Sequence, residues 1–145
     1  MPVITLGDRD SYPLLVHTVL EAVRKALERF VGAGTSEAID LRSAPHMDAA
    51  TYQSLKDVLG QGEVSALVEA DLKVEVSETR YPGVWWLTHR DERGAIVAEF
   101  IEVVEIPEIL RPHGADIRAG LKRLDQALSE SATTGNPAAA CDPKP

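Results

Sequence analysis

The chain reads as an α+β protein, a mainly antiparallel sheet packed by helices on one face, in a single domain. Two amphipathic helical segments come early, and strand-like sequence is concentrated in residues 60–110. A further amphipathic helix follows. Strands and helices do not alternate regularly enough for a doubly wound sheet. Such a fold can bury one face of its sheet against helices and leave the other for a partner. The domain is expected over residues 1–128, with 129–145 a flexible tail of small, polar and proline-rich composition.

Residues 2–6 form a short apolar lead-in, read as an edge strand. Ser11 suits the N-cap of a first helix with Pro13 in its first turn, where a missing N–H costs nothing. Val16, Val19, Leu20, Val23, Leu27 and Phe30 recur at helical spacing to about residue 31. Glu21, Arg24, Lys25, Glu28 and Arg29 take the other side, and Gly32 and Gly34 end the helix. Residues 37–41 read as a strand, followed by a turn around Pro45. Asp48 caps a second helix through residue 59, with Tyr52, Leu55, Val58 and Leu59 toward the core and Gly60 as its stop. Gly62 signals a tight or left-handed turn.

Residues 64–69 and 74–79 read as strands, and 84–89 with 95–106 as a hairpin whose 90–94 loop ends on Gly94. In the last strand both faces are largely apolar, which predicts a central or bulged strand. Glu102 shares its face with Ile96, Ala98, Phe100, Val104 and Ile106, and is expected on the more buried side. Pro107 closes the strand. A last helix is predicted over about 115–128, where Ile117, Leu121, Leu124 and Leu128 form one clear core stripe.

One core suits 145 residues, enough to bury roughly two thirds of the unfolded surface. The net charge is −8, and seven of those charges fall in residues 63–108, which hold eleven acids and four bases. That balance argues against nucleic acid, whose phosphates need clustered Lys and Arg. It suits either a solvated face or the steering of a basic partner. The single cysteine, Cys141, cannot form an internal disulfide, and its Pro/Ala setting supplies no activating neighbour. With no signal-like segment and no long apolar run, a cytoplasmic protein without membrane insertion is expected.

Chemistry is weakly marked. His17, His46, His89 and His113 lack metal-pair spacing and have no nearby cysteine, so no metal site is expected. Gly60-Gln61-Gly62-Glu63 lacks the Lys-Ser/Thr ending of a phosphate loop, and Ser65 lacks a nucleophile elbow. Acid–base work by Glu102 with Glu78 or Glu99 requires a strand pairing that brings them together. Trp85 and Trp86 are adjacent in a strand and so point to opposite faces. One can anchor the core; the other either packs beneath cover or stands beside acids as an interface anchor. No catalytic, cofactor or metal residue is assigned. The candidate partner-binding residues are Gly62, Glu63, Trp85, Trp86, Glu99, Glu102, Glu105 and Glu108.

Three ordered motifs carry a resemblance: "LGQGEVSA" around Gly60 and Gly62, "ETRYPGVWWLTH" through Trp85 and Trp86, and "EFIEVVEIPEIL" through Glu102 and Pro107. In that order and at that separation they resemble the C-terminal region of the HupH/HoxQ-type hydrogenase expression proteins, assembly factors for nickel–iron hydrogenases. The likeness is strongest over residues 58–110. Family members usually carry further sequence ahead of this region, and the chain is read as a compact member. The resemblance implies a non-catalytic cytoplasmic chaperone without a permanent cofactor. Its partners would be the hydrogenase small-subunit precursor, the iron–sulfur subunit exported with a twin-arginine signal, and other maturation factors. A small acid–base enzyme and a homo-oligomeric structural or interaction domain are the alternatives from other classes.

Overall fold

A computed structural model describes residues 13–43 and 47–140, the side chains of 133–140 aside. The expected lead-in strand at 2–6, the Ser11 cap, the turn at Pro45, His46 and Cys141 lie outside the described residues. Two compact units can be told apart within the α+β domain, Met1–Pro107 and Glu108–Pro145. The first holds helices α1 (Leu14–Ala33) and α2 (Ala49–Leu59) and strands β1 (Glu37–Asp40), β2 (Ser65–Glu69), β3 (Lys73–Glu78), β4 (Val84–Arg90) and β5 (Ile96–Val103). The second contains α3 (Gly114–Ala140).

All strand pairings are antiparallel, in the order β1-β5-β4-β3-β2. The predicted hairpin is β4–β5, and its loop ends on Gly94 at φ 83°, a conformation that favours glycine. At its loop end Ala98 pairs with His89 and Ile96 with Arg90, leaving Val97 as an extra residue on β5. The expected bulge is therefore present, in a strand with neighbours on both sides.

The core lies between one face of the sheet and α1 and α2. Val16, Val19, Val23 and Ala26 of α1 and Leu55 and Leu59 of α2 meet Val84, Trp86, Ile101 and Val103 of the sheet, with Leu20, Leu27, Phe30 and Tyr52 packed around them. The predicted apolar stripes of α1 and α2 are thus the ones packed on the sheet. Helix α1 begins at Leu14, with Pro13 in the flanking cap position, where its carbonyl accepts the Val16 N–H at 2.9 Å. It ends at Gly34, whose left-handed backbone returns an N–H to Phe30 O. Asp48 caps α2 as expected, accepting the Thr51 N–H at 2.7 Å.

The opposite face was expected to be free for a partner, and at its centre it is not. Val74, Val76, Trp85 and Leu87 stand there and all are buried. The continuous apolar run Val84-Trp85-Trp86-Leu87 has the character of a strand covered on both sides.

Strand β5 stops at Val103, short of the expected residue 106, because Val104 leaves the ladder: its N–H donates to Gly83 O at 2.9 Å and its carbonyl accepts Trp85 Nε1 at 3.0 Å. Helix α3 continues past residue 128 to Ala140, where an irregular tail was expected. Its first added residues, Ser129-Glu130-Ser131-Ala132, contain neither Gly nor Pro, and the helix runs on through Gly135 and Pro137. The Ile117, Leu121, Leu124 and Leu128 stripe of α3 was expected to face the core and is instead exposed. Among the described residues, no helix is long and apolar enough to cross a membrane.

Candidate functional site

Glu99 organises the most polar part of the interior. It lies on the helix-facing side of β5, 4 % exposed, and its Oε2 accepts three hydrogen bonds. The Tyr52 hydroxyl donates at 2.5 Å, Trp86 Nε1 at 2.8 Å and the Thr88 hydroxyl at 2.9 Å. Register explains the convergence: Thr88 sits directly opposite Glu99, and Trp86 is two residues along the same face of β4. Tyr52 arrives from α2, with its ring edge-on to the Trp86 indole at 82° and a centroid separation of 5.6 Å. Burial, then the bond to Glu99 and its charge, pushes the Tyr52 hydroxyl well above its usual value near 10.

One turn along α2, Lys56 lies over this pair. Its Nζ is 5.1 Å from the Trp86 ring centre and 5.4 Å from that of Tyr52, a cation–π arrangement. Beside it a groove of about 370 Å³ opens between α2 and β3–β4, lined by Gln53, Lys56, Asp57, Gln61, Glu75, Ser77, Trp86 and Thr88. Glu75 pairs with Arg90 at 3.0 Å, and Asp57 accepts from Gln53 at 2.8 Å. A second recess of about 290 Å³ is lined by Leu41, Arg42, Met47, Tyr52, Ile96 and Glu99. Members of one hydrogen-bond network therefore line both openings.

The glycine loop closes one end of the groove. Gly60 has φ 64°, and the Arg80 side chain rests against it, so a Cβ there would stand 2.6 Å from Arg80 Nε. Gly62 does not take the left-handed form of the tight or left-handed turn expected of it. Its φ is not positive; its N–H donates to Glu78 O at 2.7 Å, and an added Cβ would come 2.5 Å from the Thr79 carbonyl oxygen. Close backbone approach is what requires glycine there. Together with the Trp85 and Gly83 bonds to Val104, these contacts bring the three sequence motifs to the same β3–β4 turn.

The predicted site residues within the sheet divide between its two faces, Trp86 and Glu99 on one and Trp85 and Glu102 on the other. Gly62 and Glu63 are exposed after α2, and Glu105 and Glu108 are exposed beyond β5. Trp85 and Trp86 are each only 5 % exposed, so neither is a protruding anchor; Trp86 edges the groove and Trp85 belongs to the opposite face. Glu102 is half-buried, and desolvation holds its carboxyl above the usual range. It was expected on the more buried face, yet the buried acid is Glu99. The bulge at Val97 moves Ile96 onto the helix-facing side, taking one apolar residue away from the face of Glu102.

Glu99 and Glu102 point to opposite faces, and Trp85 stands in register between Glu78 and Glu102. Neither pairing brings two carboxyls together. His17 and His113 are exposed, and His89 lies within β4 against Phe100, with Nδ1 buried and, among the described residues, without a hydrogen-bond partner. Among the described residues no group of three or more His, Cys, Asp or Glu side chains is placed to hold a metal ion.

Sequence reasoning missed Lys56, Thr88 and Gln53 and took Tyr52 only as core. The i, i+4 spacing of Tyr52 and Lys56 was the available signal.

Residues 15–131 match the family described as HupH hydrogenase expression protein, C-terminal conserved region. The hydrogenase expression/formation protein HupQ of Azotobacter chroococcum mcd 1 is 30% identical over 128 residues, covering 88% of this chain and 43% of that protein. HoxQ of Cupriavidus necator, of the same description, is 35% identical over 110 residues, 76% of this chain and 37% of its own. The chain thus spans less than half the length of these curated relatives. Among solved structures, the hydrogenase expression protein HupH from Thiobacillus denitrificans superposes with a TM-score of 0.74 at 31% identity, over 79% of this chain and 95% of that one.

Proposed function

We propose that this chain, which belongs to the HupH hydrogenase expression protein family through its C-terminal conserved region, is a non-catalytic maturation chaperone. It acts in the cytoplasm on the small, iron–sulfur subunit of a nickel–iron hydrogenase. It holds the precursor of that subunit until assembly is complete and the twin-arginine signal can direct export. The observation that carries the reading is the match across residues 15–131 to a family whose similar members are named for hydrogenase expression and formation.

Physical features support a holding role. The buried carboxylate of Glu99 is engaged by donors of the fold itself, and the accessible feature beside it is a groove. The acidic excess in residues 63–108 favours encounter with a basic segment, through exposed acids such as Glu63, Glu69 and Glu105.

Co-expression of a tagged copy with the small-subunit precursor, with and without its signal segment, followed by affinity capture and mass spectrometry, tests this reading. Capture of the precursor, reduced when the signal is removed, is expected. Absence of capture under reducing, oxygen-free conditions would refute it.

A further inference from the structure

We propose that the groove between α2 and β3–β4 is a receptor for a cationic side chain, an arginine presented by a partner protein, and that Lys56 fills this place in the free chain. That the arginine belongs to a protein segment rests on the chaperone reading; the cation site itself rests on geometry.

Tyr52 and Trp86 stand edge to face with 5.6 Å between ring centres, and the Lys56 ammonium lies within 5.4 Å of both. The cage thus already holds a cation, supplied by the protein. Its rings are also polarised in the direction that favours one. The indole N–H and the phenol O–H both donate to Glu99, which draws positive charge toward the buried carboxylate and leaves the ring faces more negative. Among the described residues Glu99 makes no ion pair with Lys or Arg. The attraction from that buried charge is therefore available to a cation in the groove.

Lys56 is a replaceable occupant. It projects from an exposed position of α2 and, among the described residues, its ammonium forms no ion pair. Its flexible stem can swing into water without leaving a carboxylate unpaired. A guanidinium suits the vacated place better than an ammonium, because its plane stacks on an indole while its fork reaches oxygen acceptors. Asp57, Ser77 and Thr88 supply such acceptors in the groove wall, whose volume of about 370 Å³ accommodates an arginine side chain.

The test is a ¹H–¹⁵N titration of the full chain with the peptide acetyl-Gly-Arg-Gly-amide and with its citrulline counterpart, which keeps the shape and loses the charge. The Trp86 indole N–H should move with the arginine peptide only. Trp85, whose N–H is held by Val104 O on the other face, is the internal reference. Lys56→Met should bind the arginine peptide about threefold more tightly or better, and Lys25→Met, an equal loss of charge on α1, should not.

Equal response to citrulline, movement of Trp85 in place of Trp86, or equal affinity of Lys56→Met and wild type would overturn the cation site. The two readings separate cleanly. A Trp86 response without precursor capture refutes the chaperone reading and leaves the site standing. Bound precursor that leaves Trp86 unmoved refutes the site alone.

Discussion

Trp86 Nε1 donates to Glu99 Oε2 at 2.8 Å across the β4–β5 ladder, on an oxygen that also takes the Tyr52 and Thr88 hydroxyls. Removing the acceptor strands all three donors in or near the core. Glu99→Ala should cost about 3–5 kcal/mol of stability. Glu99→Gln, which keeps a carbonyl oxygen, should cost less than half of that. Urea unfolding of the two variants checks the order; an Ala variant as stable as wild type would show that the network contributes little.

Tyr52 links stability to alkaline pH. Its hydroxyl stays protonated in the folded chain above the pH where an exposed tyrosine ionises, near 10. The folded state therefore holds a proton that the unfolded chain gives up, and stability falls as pH rises through and beyond that value. Tyr52→Phe should flatten this loss. Unfolding free energies on both sides of pH about 10 provide the comparison, and equal slopes for variant and wild type would contradict it.

The glycines make opposite predictions. An alanine at 62 would drive its Cβ against the Thr79 carbonyl, at 2.5 Å, whereas at 32, inside α1, nothing lies within 4 Å. Gly62→Ala should destabilise by about 1–3 kcal/mol. Gly32→Ala should stabilise by about 0.5–1 kcal/mol, as expected inside a helix. Thermal melts that ranked the two the other way round would show that the loop relaxes freely.

Asp48 gives a signature in acid. The backbone N–H of Thr51, bonded to its side chain at the start of α2, holds its carboxyl below the usual 3.8. A depressed carboxyl contributes stability above its unfolded value and loses it as pH falls through the folded one. Asp48→Ala should therefore be less stable than wild type at neutral pH, with the gap closing as pH drops below about 4. A gap that stays constant to acid would contradict the cap.

Much of the frame was legible because its periods are strong. The apolar spacing along α1 and α2, and the Asp48 cap with the Gly60 stop, need only local geometry. The site was less so. Which carboxylate of β5 is buried depended on which of its two largely apolar faces the helices cover, and the alternation along the strand does not say. The adjacent tryptophans correctly implied opposite faces, but whether each face is covered depends on distant segments. The meeting of Tyr52 with Glu99 spans 47 positions and follows from where α2 lies on the sheet. Local pattern contains no information about that placement.

The most direct measurement of the central claim is equilibrium binding between the purified chain and the purified small-subunit precursor, under reducing and oxygen-free conditions at low and high salt. The account predicts saturable binding that is stronger for the precursor than for the subunit without its signal, and that weakens as salt screens the acids of residues 63–108. No binding at either salt concentration, or equal binding with and without the signal, would contradict it.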